Sequence, residues 1–304
     1  MRSEYRSLPK AYYHLCTDGW KGGLLFNHVS QFVYGMATIA LVAIKFDVKI
    51  YAFELMPNHI HMVLSATGCE CVRAFNYIKR RIARKLLVDG NTPLPDDYGF
   101  MLKKIEDRKA MQAELLYLAR NAYEKGFCVP GGYLWGTGYL LFNQWADLIS
   151  GPRVDELSAR KVRSITESTT DLPGDWEIHP VVGVLPKNFV CLNKVREMFR
   201  SPKTYLTRMV KDYESFVHIA NELGEEMEYS KAEADDIMYQ LIKSEYPRKL
   251  FVELTAEEKG HLAVLMARKY QVPLPLVSAS THIPEQIVRQ LLDSKDFGRK
   301  YLAK

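Results

Sequence analysis

Hydrophobic positions in the first 130 residues follow two rhythms. A two-residue alternation over Tyr12–Cys16, Val48–Leu55 and His59–Ser65 predicts three strands. Gly19, Gly22 and Gly23 close the first of these. Met56-Pro57-Asn58, a turn-forming cluster, separates the other two and predicts an antiparallel hairpin. A three-to-four rhythm governs Asn27–Phe46, where Val29, Phe32, Val33, Met36, Ala40 and Ala43 share a helical face behind an Asn placed to cap it. The same rhythm returns over Cys71–Leu87, with Phe75, Ile78, Ile82 and Leu86 as the apolar stripe. Gly90–Tyr98 is a Pro- and Asp-containing loop. A third helix, Asp107–Lys125, stops at Gly126, a residue suited to the left-handed backbone that ends helices. The order β-α-β-β-α-α predicts an α+β fold, an antiparallel sheet with helices packed on it.

Beyond Gly131-Gly132 lies an aromatic stretch, Tyr133–Trp145, and then a middle segment with helical pattern over Leu192–Tyr213 and Lys231–Lys243. The end of the chain reads as three helices, Thr255–Tyr270, Leu274–Ser280 and Pro284–Leu292. Pro284 suits a first helical turn, and Thr281-His282-Ile283 has the length of the turn in a helix-turn-helix. In that arrangement Gln286, Arg289 and Gln290 face a major groove, which makes duplex DNA a partner of this part. A small three-helix unit also serves as a plain structural cap. The expected organisation is a first domain over 1–150, an accessory segment over 151–254 and a helix-turn-helix-like domain over 255–304.

Charge supports that division. The net +5 is modest, but residues 1–150 hold 18 Lys and Arg against 13 Asp and Glu, residues 151–254 hold 15 against 18, and residues 255–304 hold 8 against 5. Two basic ends flanking an acidic middle fit nucleic-acid contact at both ends. No apolar run reaches the ~20 residues that span a bilayer, and Met36–Ile44 leads directly into Lys45 and Asp47. The first residues lack the apolar core of a signal peptide, so the expectation is a cytoplasmic protein without a membrane partner. The five cysteines have no metal-type spacing, Cys69-x-Cys71 being one residue short of CxxC, and read as reduced thiols.

Three features carry candidate chemistry. On a strand, His59 and His61 project from one side while Ile60 and Met62 enter the core, and two adjacent imidazoles are half of a metal site. Taken alone, such a pair is equally two solvent-facing histidines. On the third helix Tyr117 and Asn121 stack one turn apart, placing a phenol beside a carboxamide oxygen, itself a hard metal ligand. By itself that Tyr is more often a packing residue. Finally, Arg73, Lys79, Arg80, Arg81, Arg84 and Lys85 crowd the second helix with few balancing carboxylates, as a phosphate-contacting surface would. Tyr77, Tyr133, Trp135 and Tyr139 suit either base stacking or core packing.

Together these features resemble a known family. Met56-Pro-Asn-His59-Ile-His61 is similar to the HUH motif of single-tyrosine transposases, and Tyr117-Leu-Ala-Arg-Asn121-Ala-Tyr-Glu-Lys-Gly126 is similar to their catalytic helix. Tyr133-Leu-Trp135-Gly-Thr-Gly-Tyr139 resembles the Tyr-Pro-Trp-Ser-Ser-Tyr stretch of the REP-associated branch. The resemblance covers roughly residues 9–145. Ala119 and Ala122 stand where the family commonly has His and Pro, and the serines of the last motif are replaced. The resemblance implies a ferredoxin-like HUH nuclease core. It implies Mg²⁺ or Mn²⁺ held by His59, His61 and Asn121, and Tyr117 as the nucleophile. The implied reaction is cleavage and rejoining of single-stranded, hairpin-associated DNA through a 5′-phosphotyrosine, as in DNA transposition and recombination. Arg120 and Trp135 join the basic helix as DNA contacts. A homodimer, with Tyr117 acting in its own or the partner's subunit, stays open. The rival is a DNA-binding descendant without catalysis. A barrel hydrolase opening with HxH would need later ligands, but His179, His218, His261 and His282 are scattered.

Overall fold

The computed structural model describes residues 3–19, 23–143 and 146–293; Gly22 and Trp145 lie outside them. Cα packing gathers the chain into two compact units, Met1–Met209 and Val210–Lys304.

The first unit opens with β1 (Ala11–Thr17), α1 (Val29–Lys45), β2 (Lys49–Leu55), β3 (Ile60–Ala66), α2 (Gly68–Val88), β4 (Phe100–Ile105) and α3 (Arg108–Glu124). The strands form one antiparallel sheet in the order β2-β3-β1-β4, so β1 to β4 trace the ferredoxin-like β-α-β-β-α-β path. This is the α+β fold expected, with one strand more. Phe100-Met-Leu-Lys-Lys-Ile lacks a clean alternation because Lys103 and Lys104 interrupt it. That interruption belongs to an edge strand, where an exposed Lys discourages pairing with another chain.

The two sheet faces differ in kind. Tyr13, Leu15, Phe53, Leu55, Ile60, Met62, Leu64 and Leu102 point to one side and build the main core with Met36, Ile39 and Val42 of α1 and Phe75, Ile78 and Ile82 of α2. The opposite face presents His14, Cys16, Glu54, His61 and Lys103, and α3 lies over it. Burying ionisable groups between a sheet and a helix is costly unless they are paired, and His14, His61 and Lys103 are joined here through one another and through Glu114 of α3.

Local signals position the helices. Thr67 caps α2 by accepting from the Glu70 amide at 3.2 Å, and Asp107 caps α3 by accepting from the Ala110 amide at 2.7 Å. The expected Asn cap on α1 is replaced: His28 occupies the cap without a side-chain bond, and the Asn27 amide instead donates to Gln31 Oε1 at 2.7 Å. The outer edge of β2 is covered by Trp135–Thr137. The Leu55 amide donates to the Trp135 carbonyl (2.8 Å), and the Thr137 amide to the Phe53 carbonyl (3.0 Å). A Cβ on Gly136 would lie 2.7 Å from the Phe53 carbonyl oxygen, so only glycine fits this approach.

The rest of the first unit comprises α4 (Ala159–Thr166), a small hairpin of β5 (Ile178–His179) and β6 (Gly183–Val184), α5 (Leu192–Arg196) and α6 (Pro202–Lys211), which runs across the unit boundary. Val162, Ile178 and Val184 pack on Ala37, Ala40 and Leu41 of α1. The helical stretch expected over Leu192–Tyr213 is divided: α5 ends at Arg196, and Pro202 starts α6 at the position that tolerates it.

The second unit holds α7 (Tyr213–Leu223), α8 (Lys231–Glu245), α9 (Ala256–Lys269), α10 (Leu274–Thr281) and α11 (Glu285–Asp293). His282 ends α10 in left-handed backbone (φ 59°) and sets the short turn into α11. The last three helices share one core with α8, through Ile237 and Leu241 against Leu262, Met266, Val277 and Val288. No helix of the described residues is long and apolar enough to cross a membrane.

Candidate active site

His61 sits on β3 opposite Cys16 of β1 and Glu54 of β2, fully buried on the polar sheet face. His59 immediately precedes that strand, and its Nδ1 lies 2.7 Å from Asn58 Oδ1, which aims the ring. The Nε2 atoms of His59 and His61 then meet at 2.8 Å. From α3, Asn121 brings its carboxamide nitrogen to 2.7 Å from the same His61 Nε2. Rotating that carboxamide about its last bond exchanges Nδ2 for Oδ1, so two imidazole nitrogens and an amide oxygen share one point. Tyr117, one turn earlier on α3, holds its ring edge-on to His61 with centroids 5.9 Å apart. Its exposure is only 4%.

A second layer stands behind His61. Its Nδ1 lies 3.0 Å from Nε2 of His14 on β1, whose Nδ1 lies 2.7 Å from Glu114 Oε2 on α3. The other Glu114 oxygen takes Lys103 Nζ of β4 at 2.7 Å. Glu114, Tyr117 and Asn121 are spaced three and four apart, so one face of α3 delivers all of them.

Electrostatics follow from the burial. Desolvation, and then His14, hold the His61 pKa well below 6.5, leaving a neutral ring with a lone pair to offer. Burial alone pushes the Glu114 carboxyl upward, but His14 and Lys103 outweigh it and hold the group ionised below its ordinary value. A metal ligand set needs neutral imidazoles and a carbonyl-type oxygen, and these residues fit a divalent ion.

The structure therefore brings His59, His61, Tyr117 and Asn121 together. The basic helix lies elsewhere, since α2 covers the opposite sheet face. Four of its cations are engaged within the fold. Arg81 donates to Thr38 Oγ1 (2.9 Å) and the Thr166 carbonyl (2.7 Å) and stacks on Tyr34, while Lys85 pairs with Glu167 at 2.7 Å. Lys79 donates to the Tyr98 carbonyl at 2.7 Å, and Arg73 pairs with Glu70 at 2.7 Å. Arg80 and Arg84 are exposed. Arg120, expected on DNA, is instead 0% exposed, held by Glu124 (3.3 Å) and the Met209 carbonyl (3.5 Å). Its neighbours on α3 are buried on every side, and so is it.

Among the aromatics, Tyr133 and Tyr139 are buried, and half-buried Trp135 stacks on Phe32 with centroids 4.9 Å apart. On α11, Gln286, Arg289 and Gln290 are exposed, with Arg289 paired to Glu285 at 2.6 Å. His261 is a packing residue of the second unit, 2.9 Å from the Tyr246 hydroxyl.

His14, Glu114 and Lys103 had no signal in the sequence. Each is a lone polar residue in an otherwise ordinary strand or helix, and only strand pairing collects them.

No family model and no curated protein matches the chain. Among solved structures it is similar to a REP-associated tyrosine transposase bound to a REP hairpin, with 16% identity, a TM-score of 0.37, and coverage of 44% of this chain and 81% of that one. At that identity and TM-score the likeness assigns no chemistry or partner to this chain.

Proposed function

We propose that the protein cleaves and rejoins single-stranded, hairpin-associated DNA through a covalent 5′-phosphotyrosine on Tyr117, with Mg²⁺ or Mn²⁺ held by His59, His61 and Asn121. The observation that carries this reading is the convergence of the two Nε2 atoms and the Asn121 carboxamide, 2.7–2.8 Å apart, beside a phenol on the same helix face. A divalent ion bound there supplies polarisation of a non-bridging phosphate oxygen and offsets charge gathering at phosphorus.

The remaining chemistry belongs to the chain. Tyr117 Oη attacks phosphorus in line, the P–O3′ bond breaks, and the leaving oxygen takes up a proton to become a 3′-hydroxyl. The phenol must lose its proton in the same passage. No water is consumed, so a 3′-hydroxyl can reverse the step and join strands. Exposed Arg80 and Arg84 contact backbone phosphates of a strand reaching α2, with Arg73, Lys79, Arg81 and Lys85 contributing wherever DNA displaces their internal partners. Trp135 offers a stacking edge, and Gln286, Arg289 and Gln290 read a duplex.

The burial of Tyr117 favours a second reading, a catalytically silent DNA-binding protein. One experiment separates the two. Incubated with a hairpin oligonucleotide and Mn²⁺, the wild-type protein should form an adduct that resists denaturation, and Tyr117→Phe should bind the hairpin without forming it. Peptide mapping should place the nucleotide on Tyr117. Hairpin binding without any wild-type adduct would favour the silent reading, and attachment to Tyr123 or Tyr133 would overturn the nucleophile.

A further inference from the structure

We propose that α4 is a second DNA-contacting helix, whose Arg160, Lys161 and Arg163 form with Arg80 and Arg84 of α2 one continuous surface for the phosphate backbone. The proposal rests on the DNA-binding part of the reading above and needs neither the metal nor the chemistry of Tyr117.

The fold treats its cations in this region in two ways. Arg73 is paired with Glu70, Lys85 with Glu167, Arg153 with Asp155 and Lys187 with Glu177. Arg80, Arg84, Arg160, Lys161 and Arg163 are exposed, and their side chains make no ion pair or hydrogen bond with any described residue. The eight residues of α4 include three cations and no carboxylate, although residues 151–254 as a whole are net acidic. A solvated helix face gains from opposite charges three or four positions apart, whereas Arg160 and Arg163 place like charges three apart, which costs helix stability. An anion laid across both relieves that repulsion.

Docking joins the two helices into one surface. Val162 and Ile165 of α4 pack with Ala37, Ala40 and Leu41 of α1, which leaves the Arg160 and Arg163 side of α4 to solvent. The C-terminal end of α4 rests on α2. Arg81 donates to the Thr166 carbonyl at 2.7 Å, and Lys85 Nζ lies 2.7 Å from Glu167 Oε1. A cation there satisfies a carbonyl that the helix end leaves open. Arg84 follows Arg81 by one turn on α2, and Arg163 precedes Thr166 by one turn on α4, so the unpaired cations flank the same junction. The paired cations hold the helices together, and the unpaired ones remain for a ligand. Arginine forks match phosphate oxygens. Cations spread along two helices suit an extended polyanion, held by its backbone and not by its bases.

Arg160→Gln, Lys161→Gln and Arg163→Gln together preserve helix propensity and alter no buried position, so urea unfolding should match wild type. Fluorescence anisotropy of the full-length protein, with a labelled single strand and with a duplex of equal length, reads affinity against salt. The triple variant should flatten the salt slope by about 2 on a single strand or about 3 on a duplex, at roughly 0.7 or 0.9 for each phosphate no longer neutralised. The form that shows the loss is the one the surface holds. Adding Arg80→Gln and Arg84→Gln should flatten the slope further on that same form; an effect confined to the other form would mean that the surface is not continuous. The control is Lys10→Gln, Lys104→Gln and Lys187→Gln, which removes equal charge from cations already paired with Asp47, Glu106 and Glu177. It should leave the slope near wild type. An equal loss in the control would make the effect one of net charge and overturn the proposal. So would an unchanged slope in the α4 variant, or a loss of binding to phosphatidylserine vesicles and not to DNA. If the α4 variant behaves as expected while the wild type forms no Tyr117 adduct, the surface stands and the strand-transfer reading falls.

Discussion

His61 is neutral in the fold because burial penalises its charged form, and that has a consequence for stability as well as for ligation. In the unfolded chain the ring takes up a proton as pH falls through 6.5, whereas the buried ring does not. Below that value the unfolded state binds more protons, so stability falls with pH by up to about 1.4 kcal/mol per pH unit until the folded ring titrates. His61→Gln should remove this decline. Trp135 and Trp176 lie in the first unit, and the sequence has no tryptophan beyond residue 209. Their fluorescence during urea unfolding in chelator therefore reports the unit that holds His61, while His261, lowered in the same direction by burial, belongs to the other. An identical decline in the variant would show that the ring does not stay neutral. Glu114 acts in a lower window: its lowered pKa contributes stability above 4.5 that is lost as pH falls through the folded value. The pair His59 and His61 was legible in the sequence because strand alternation alone puts them on one side. His14 and Glu114 were not. They lie 100 positions apart in the chain, and only the pairing of β1 with β3 and the docking of α3 joins them.

At the scale of elements, the charge run on α2 shows where sequence patterning stops. Six cations on one helix predict a phosphate-binding surface, but the periodicity does not say which of them the fold itself consumes. Arg81 is half-buried between Tyr34, Thr38 and Thr166, so Arg81→Ala should cost about 1–3 kcal/mol through the loss of its charged hydrogen bonds. Arg80→Ala with Arg84→Ala should leave stability within about 0.5 kcal/mol. That double variant should instead weaken single-strand binding at every sequence and flatten its salt slope by roughly 0.7 for each phosphate no longer neutralised. Urea unfolding and a salt titration of oligonucleotide affinity distinguish the two effects; a double variant with an unchanged salt slope would remove α2 from the DNA surface. The edge of β2 invites a similar test. Gly136→Ala pushes a methyl group to within 2.7 Å of the Phe53 carbonyl and must displace the Trp135–Thr137 segment, costing about 1–3 kcal/mol by overpacking. An unfolding midpoint equal to wild type would mean the segment does not need that close approach.

Across the whole molecule, the last three helices share a core with α8, and this changes how the far end of the chain should be probed. The three final helices were legible from Pro284, the Thr281-His282-Ile283 turn and their periodicity. Their sharing of one core with α8 was not, because the residues of α8 that fill it sit among acidic neighbours that mask the stripe. Removing residues 255–304 would take Leu262, Met266, Val277 and Val288 out of the core that Ile237 and Leu241 complete, so loss of function on that truncation would report unfolding, not DNA contact. Exposed residues on α11 give a cleaner answer. Gln286→Ala, Arg289→Ala and Gln290→Ala together touch no core position, and the Arg289–Glu285 pair is a surface i,i+4 contact worth about 0.3–0.5 kcal/mol. The triple variant should therefore keep wild-type stability and the Tyr117 adduct on a short hairpin. Its affinity for duplex flanking sequence should fall by about tenfold or more, since removing one bidentate hydrogen-bond pair to a base edge costs ~1–3 kcal/mol. Competition between specific and scrambled duplexes, measured by fluorescence anisotropy, reads this directly. Equal affinity of the variant and the wild type for both duplexes would leave α11 with packing as its role, and would move any duplex recognition to the sheet-bearing unit.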